Sequence, residues 1–115
     1  MLRSKIHRAT VTAKSLDYVG SITIDEDLLD RADMREFEKV LVVNLSNGSR
    51  AETYAIAGKR GSGDVCLNGA AARLGEVGDR VIVMAFAFVE EAELGKRWKP
   101  RIVKVDEKNR PAKTR

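Results

Sequence analysis

The chain has 115 residues, of which 43% are hydrophobic and 33% charged, with a formal net charge of +4 and one cysteine. That length suits one domain over residues 1–115 with a modest core, and no apolar run approaches a membrane span. A lone cysteine excludes an internal disulfide framework, and the charged residues 1–5 lack the apolar stretch of a secretory signal, so a cytoplasmic enzyme or binding domain is expected. Residues 8–13 alternate polar with small or apolar side chains, the pattern of a half-buried strand, and residues 19–24 predict a second strand carrying Ser21. Asp25 reads as an N-cap, with Glu26 and Asp27 in the first turn against the helix dipole. Leu28, Leu29 and Ala32 give that short helix an apolar face, and it should end near Asp33.

Residues 40–45, an Asn47-Gly48 turn and residues 53–57 predict a hairpin. Residues 65–67 form another short strand, after which Asn68-Gly69 turns into an Ala-rich helical turn. Val77-Gly78-Asp79 precedes residues 81–88, the most continuous apolar strand, where Phe86 and Phe88 are expected in the core. Residues 90–96 suggest a brief helix and residues 101–105 a final strand. Many short strands with closely spaced turns predict a mainly β fold, a closed barrel with minor helices.

From residue 96 to 115 there are nine Lys or Arg against Asp106 and Glu107. Such a tail can meet a polyanion, and its plain reading is a solvated terminus, frayed beyond Lys108. Truncation after Asn109 is therefore expected to leave activity nearly unchanged. A small basic β-barrel that binds single-stranded nucleic acid is the alternative function. Aromatic residues are only 5% of the chain, however, and stacking platforms need several exposed ones. A purely structural barrel that assembles with partners is a further rival. One histidine leaves no room for a His-rich metal site, so no metal is expected. Cys66, in a short strand-like run, reads as a small core residue rather than a thiol paired with His7.

The most informative segment is Tyr18-Val19-Gly20-Ser21. Ser21 Oγ lies one residue from the Gly20 carbonyl carbon, so an N-to-O acyl shift needs only a strained backbone, which glycine permits. Gly-Ser is also a common turn pair, and the tetrapeptide alone decides nothing. It is joined by Lys5-Ile6-His7-Arg8-Ala9, by Arg50-Ala51-Glu52-Thr53-Tyr54-Ala55-Ile56, by Gly58-Lys59-Arg60-Gly61-Ser62 and by Asn68-Gly69-Ala70-Ala71-Ala72. In this order and spacing the set resembles the pyruvoyl-dependent aspartate 1-decarboxylases, over residues 1–88 and more weakly through Trp98-Lys99-Pro100.

The resemblance implies a small six-stranded double-ψ β-barrel with short helices, assembled as a homotetramer. It implies a zymogen cut autocatalytically between Gly20 and Ser21 into a β chain, 1–20, and an α chain, 21–115. The implied route is an ester from the acyl shift, β-elimination to dehydroalanine, and hydrolysis with loss of ammonia, leaving a covalent pyruvoyl group in place of Ser21. Its ketone would form an imine, a Schiff base, with L-aspartate and act as the electron sink for loss of CO2, as pyridoxal phosphate does elsewhere. The product would be β-alanine, for pantothenate and coenzyme A.

By the same resemblance, Arg50 binds a substrate carboxylate, which its planar fork suits, and Lys5 is a second cation in the site. Tyr54 is the proton donor, since a phenol holds its proton at neutral pH and can give it up. Thr53 and Asn68 match positions used in cleavage, and backbone N–H groups of Gly69, Ala70 and Ala71 could hold a carboxylate. His7 and Tyr18 match site-lining positions. If the strand after the turn reaches back to Arg50, the four-residue separation puts Arg50 and Tyr54 on one face, about 13 Å apart. Tyr54 could then serve its own site or a neighbouring subunit's. The chain departs from the family pattern in a shorter N-terminus, Arg73 where histidine is common, and a more basic tail. Some relatives need a maturation factor. No nucleic acid and no membrane are implied as partners.

Overall fold

A computed structural model describes residues 1–17, 19–95 and 97–112. Eight strands form the fold: β1 (Leu2–Thr10), β2 (Ala13–Ser15), β3 (Ile22–Asp25), β4 (Lys39–Asn44), β5 (Arg50–Gly58), β6 (Val65–Asn68), β7 (Arg80–Phe86) and β8 (Arg101–Lys104). They hydrogen-bond in the order β2-β6-β3-β5-β4-β7-β1-β8, a small β-barrel-like arrangement in which the two short strands β2 and β8 leave six between them. The helices are minor: α1 (Glu26–Ala32), a 3₁₀ turn (Gly69–Leu74) and α2 (Glu91–Leu94). No helix among the described residues is long and apolar enough to cross a membrane.

Period-two alternation places the core. Ile6 of β1, Ile22 and Ile24 of β3, Val40 and Val42 of β4, and Val81, Val83 and Ala85 of β7 point inward onto Leu28 and Leu29 of α1. Burying each large aliphatic side chain stabilises the fold by about 1.5–3 kcal/mol. The same alternation corrects one expectation. With Val81, Val83 and Ala85 inward, Phe86 must face outward; it is 52% exposed, and Phe88, just beyond the strand, is fully exposed. The strand period outweighs the apolar character of the run.

Strand boundaries also differ, most at two starts. β1 begins at Leu2 rather than residue 8, because residues 2–7 find partners in β7 on one side and β8 on the other. Its register shifts between Ile6 and Ala9, where Arg8 takes a φ of 66°. β3 begins at Ile22 rather than residue 19, since Gly20 and Ser21 have φ of 59° and 83° and leave the extended conformation.

Asp25 caps α1 as expected, and it does more than a cap. Its buried carboxylate accepts from the backbone N–H of Asp27 at 2.8 Å, Gly61 at 3.0 Å and Gly63 at 2.8 Å, tying the helix start to the loop before β6. Burial alone would push this carboxyl up. The three N–H donors, helped by Arg110, outweigh that and hold it below its ordinary value. A depressed carboxylate contributes stability above its unfolded pKa and loses it as pH falls through the folded one. Asp25→Ala should lower stability by about 2–4 kcal/mol at pH 7, for a lost cap and stranded N–H groups. The gap from wild type should shrink below pH 4. Thermal melts of both proteins against pH check this.

Among the described residues, 109–112 are held rather than frayed. Asn109 is buried, with a φ of 61° that asparagine tolerates, in a turn closed by Asp106. Its side chain accepts from Thr10 N–H at 2.7 Å and donates to the carbonyls of Thr10 and Gly63, both at 2.8 Å. Asn109 thus pins the C-terminal segment to the end of β1 and to the Gly63 loop. Truncation after Asn109 keeps these bonds and should fold and work nearly as the full chain does. Asn109→Ala strands three backbone groups and should cost on the order of 2–4 kcal/mol in a denaturant titration. Equal stability of the two proteins would remove the anchor.

Candidate functional site

Ser21 stands at the entry to β3 and is 1% exposed. Its φ of 83° follows that of 59° at Gly20, and a side-chain-bearing residue held in such a region costs on the order of 1–3 kcal/mol. The strain therefore sits on the Gly20-Ser21 linkage and is held there by the neighbouring strand. Asn68, the last residue of β6, donates its backbone N–H to the Ser21 carbonyl at 3.0 Å and its Nδ2 to Ser21 Oγ at 3.0 Å. The same Nδ2 donates to Thr23 Oγ1 at 2.9 Å, and the Cys66 thiol donates to Asn68 Oδ1 at 3.2 Å. Burial pushes the Cys66 thiol up, with Asp64 adding to the effect, so it stays protonated as a donor. Cys66 is neither a plain core residue nor a thiolate nucleophile.

Tyr54 reaches the same loop from β5. Its hydroxyl donates to the Val19 carbonyl at 3.1 Å, and a Cβ placed on Gly20 would lie 3.9 Å from both Cε1 and the hydroxyl oxygen. Its ring meets Phe37 with centroids 6.4 Å apart. Thr53 faces the other side of β5, where it pairs with buried Val40. Gly69, with a φ of 61°, Ala70 and Ala71 open the 3₁₀ turn directly after Asn68.

The remaining expected residues are elsewhere. β5 does begin at Arg50, so Arg50 and Tyr54 share its outer face, with Glu52 between them and paired to Lys39 at 2.7 Å. Lys5 and His7 lie on β1, alternating with inward Ser4 and Ile6. Lys5 is in register with Met84 of β7, which is in register with Leu41 of β4 and thence Glu52 of β5. β3 lies beyond β5, so β1 and the strand that Ser21 opens are four places apart in the hydrogen-bonding order. Burial, then the charges of Lys5, Arg8 and Lys104, pull the His7 imidazole down, and its Nδ1 is buried without a hydrogen-bond partner. His7 is thus neutral at pH 7. Tyr18 lies outside the described residues.

An open depression lined by Arg3, Asp33, Arg35, Glu36, Phe37 and Glu38 holds none of the expected site residues, and Arg3 there is already engaged with Asp33 and Glu38. Among the described residues no group of three or more His, Cys, Asp or Glu could hold a metal. The contributors missed from sequence are Thr23 and Cys66. Cys66 lies two residues from Asn68 on β6 and so on the same strand face, the signal that finds it, whereas Ser21 precedes β3 and its spacing to Thr23 carries no such signal.

This arrangement can strain one peptide bond, orient the serine hydroxyl beside it and place a phenol next to both. Comparison with known proteins agrees with it. The family described as Aspartate decarboxylase matches residues 1–112. The aspartate 1-decarboxylase of Carboxydothermus hydrogenoformans is 58% identical over 113 residues, covering 98% of this chain and 88% of that one. That of Leptospira biflexa is 56% identical over 111 residues, covering 96% and 94%, and that of Aliarcobacter butzleri is 60% identical over 109, covering 95% and 85%. With its strained Gly20-Ser21 linkage held by Asn68 and faced by Tyr54, the chain belongs to the aspartate decarboxylase family.

Proposed function

We propose that this chain is a pyruvoyl-dependent aspartate 1-decarboxylase, a carboxy-lyase that cuts itself at Gly20-Ser21 and then turns L-aspartate into β-alanine and CO2 for pantothenate and coenzyme A synthesis. The observation that carries the reading is Ser21: buried, at a φ of 83°, with its hydroxyl held by Asn68. A keto group made from Ser21 suits this place, because cutting the Gly20-Ser21 bond removes the φ that is costly at residue 21. When present, the group supplies the electron sink that the side chains lack.

The chain's own residues do the rest. Asn68 fixes both oxygens of Ser21, so that Oγ does not rotate away from the Gly20 carbonyl. Tyr54 holds its hydroxyl beside Gly20, where it could give a proton to a substrate carbon that had lost CO2 next to residue 21. Arg50 offers a planar fork for a carboxylate, and the backbone around Gly69, Ala70 and Ala71 admits close approach.

Lys5, expected as a second cation in the site, lies on β1, which is not a hydrogen-bonded neighbour of the strand that Ser21 opens, and either its own chain or a second copy could present it. Exposed Val19, Phe86, Phe88 and Ile102, apolar side chains that a monomer would leave in water, support a homotetramer with shared sites. The cytoplasm, where aspartate is abundant and a thiol stays reduced, is the expected compartment.

The deciding experiment is an intact mass of the purified chain with and without a carbonyl reagent. Dividing 12.7 kDa in the proportion 20 to 95 residues predicts fragments of about 2.2 and about 10.5 kDa, the larger one gaining the reagent's mass. An uncut chain that still makes β-alanine would overturn the reading.

A further inference from the structure

We infer that Cys66 and Thr23 are positioning residues for self-cleavage, acting through the side-chain amide of Asn68; this rests on the cleavage reading above. Asn68 meets three neighbours. Its Nδ2 donates to Ser21 Oγ at 3.0 Å and to Thr23 Oγ1 at 2.9 Å, and its Oδ1 accepts from the Cys66 thiol at 3.2 Å. An asparagine amide has two nearly isosteric ends, and hydroxyl neighbours alone do not choose between them, because a hydroxyl donates and accepts equally well.

The thiol breaks that symmetry. Sulfur is a poor acceptor of N–H, whereas a protonated thiol donates to a carbonyl oxygen, so Oδ1 belongs on the Cys66 side and Nδ2 on the Ser21 side. The raised Cys66 pKa keeps that proton in place at neutral pH. Thr23 occupies the second N–H of Nδ2, so the amide does not swing toward the 3₁₀ turn.

The orientation has a chemical consequence. With Nδ2 facing Oγ, Asn68 is a donor to the serine oxygen and takes no proton from it. The Ser21 proton is therefore free to leave in another direction as Oγ attacks the Gly20 carbonyl carbon. The new bond is Gly20 C to Ser21 Oγ, and the bond that breaks is Gly20 C to Ser21 N, whose nitrogen takes up a proton. Nδ2 holds the attacking oxygen on line throughout. With the amide reversed, Oδ1 would accept the Ser21 hydroxyl and turn its lone pairs away from the carbonyl.

The test follows cleavage of the full chain made by cell-free synthesis, reading the cut fraction by intact mass over time. Cys66→Ala removes the donor and should slow cleavage about three- to tenfold, while Cys66→Ser, whose hydroxyl can accept as well as donate, should restore the rate only in part. Thr23→Val, similar in shape but without the acceptor, should slow it likewise, with Thr23→Ser retaining most of the rate. Melting temperatures and circular dichroism of the slow variants should match wild type. The specific readout is coupling: in an Asn68→Ala background, Cys66→Ala should change the residual rate no further. Unslowed cleavage in both Cys66→Ala and Thr23→Val, or an equal slowing with and without Asn68, would overturn the inference while leaving the self-cleavage reading intact. A wild-type chain that never cuts would overturn both.

Discussion

Ser21→Ala should stay a single chain of about 12.7 kDa, resist carbonyl reagents and release no β-alanine above background. The acyl shift needs an oxygen nucleophile on residue 21, and alanine offers none. The substitution deletes one buried oxygen and leaves the backbone unchanged. Asn68 Nδ2 still has Thr23 Oγ1 as a partner, so the fold should survive with a loss on the order of 1 kcal/mol or less. Alanine must still adopt the φ of 83° that serine adopts, and that local strain is common to both proteins. The expected result is a folded, uncut and inactive chain. Residual cleavage at Gly20, or β-alanine formation at a rate near wild type, would show that the reaction does not pass through this hydroxyl.

Tyr54→Phe should separate maturation from turnover. The ring remains, with its contact to Phe37, and only the hydroxyl that donates to Val19 is lost. The Gly20-Ser21 strain and the Asn68 contacts do not depend on that hydroxyl, so most chains should still be cut. Protonation of the carbanion left by loss of CO2 then lacks its acid, and turnover per cut chain should fall on the order of 10²–10⁴-fold. Cut chains are counted by intact mass, and β-alanine release is divided by that count. Wild-type turnover per cut chain would remove Tyr54 as proton donor. Failure to cut would instead assign the Val19 contact to holding the scissile loop.

Much of this was legible in the residues. Asp25, Leu28, Leu29 and Ala32 announced α1 and its cap because helix-end chemistry is local: the cap and the groups it satisfies lie within one turn. Asn47-Gly48 announced the β4–β5 hairpin for the same reason. The face of a strand is less local. Phe86 and Phe88 looked like core because their neighbours are apolar, and the period of two that turned them outward is set by which of Val81, Val83 and Ala85 meets the interior. Asn109 was invisible as an anchor because its partners, Thr10 and Gly63, are 99 and 46 residues away.

The site divides along the same line. The ordered motifs pointed to Gly20, Ser21, Tyr54 and Asn68 through their resemblance to the family, and the structure brings these four to one place. What no local pattern specifies is the register of β3 between β5 and β6, which seats Ser21 against Asn68 and brings the Tyr54 hydroxyl to Val19. Strand order likewise put Lys5 and His7 on β1, which pairs with β7 and β8 and not with β3. By itself the sequence determined the helix cap, the hairpin and the mainly β character, all consequences of short-range sterics and hydrogen bonding. Only the tertiary structure decided which residues meet Asn68 and where the strain sits, because those depend on long-range strand pairing that no neighbouring residue dictates.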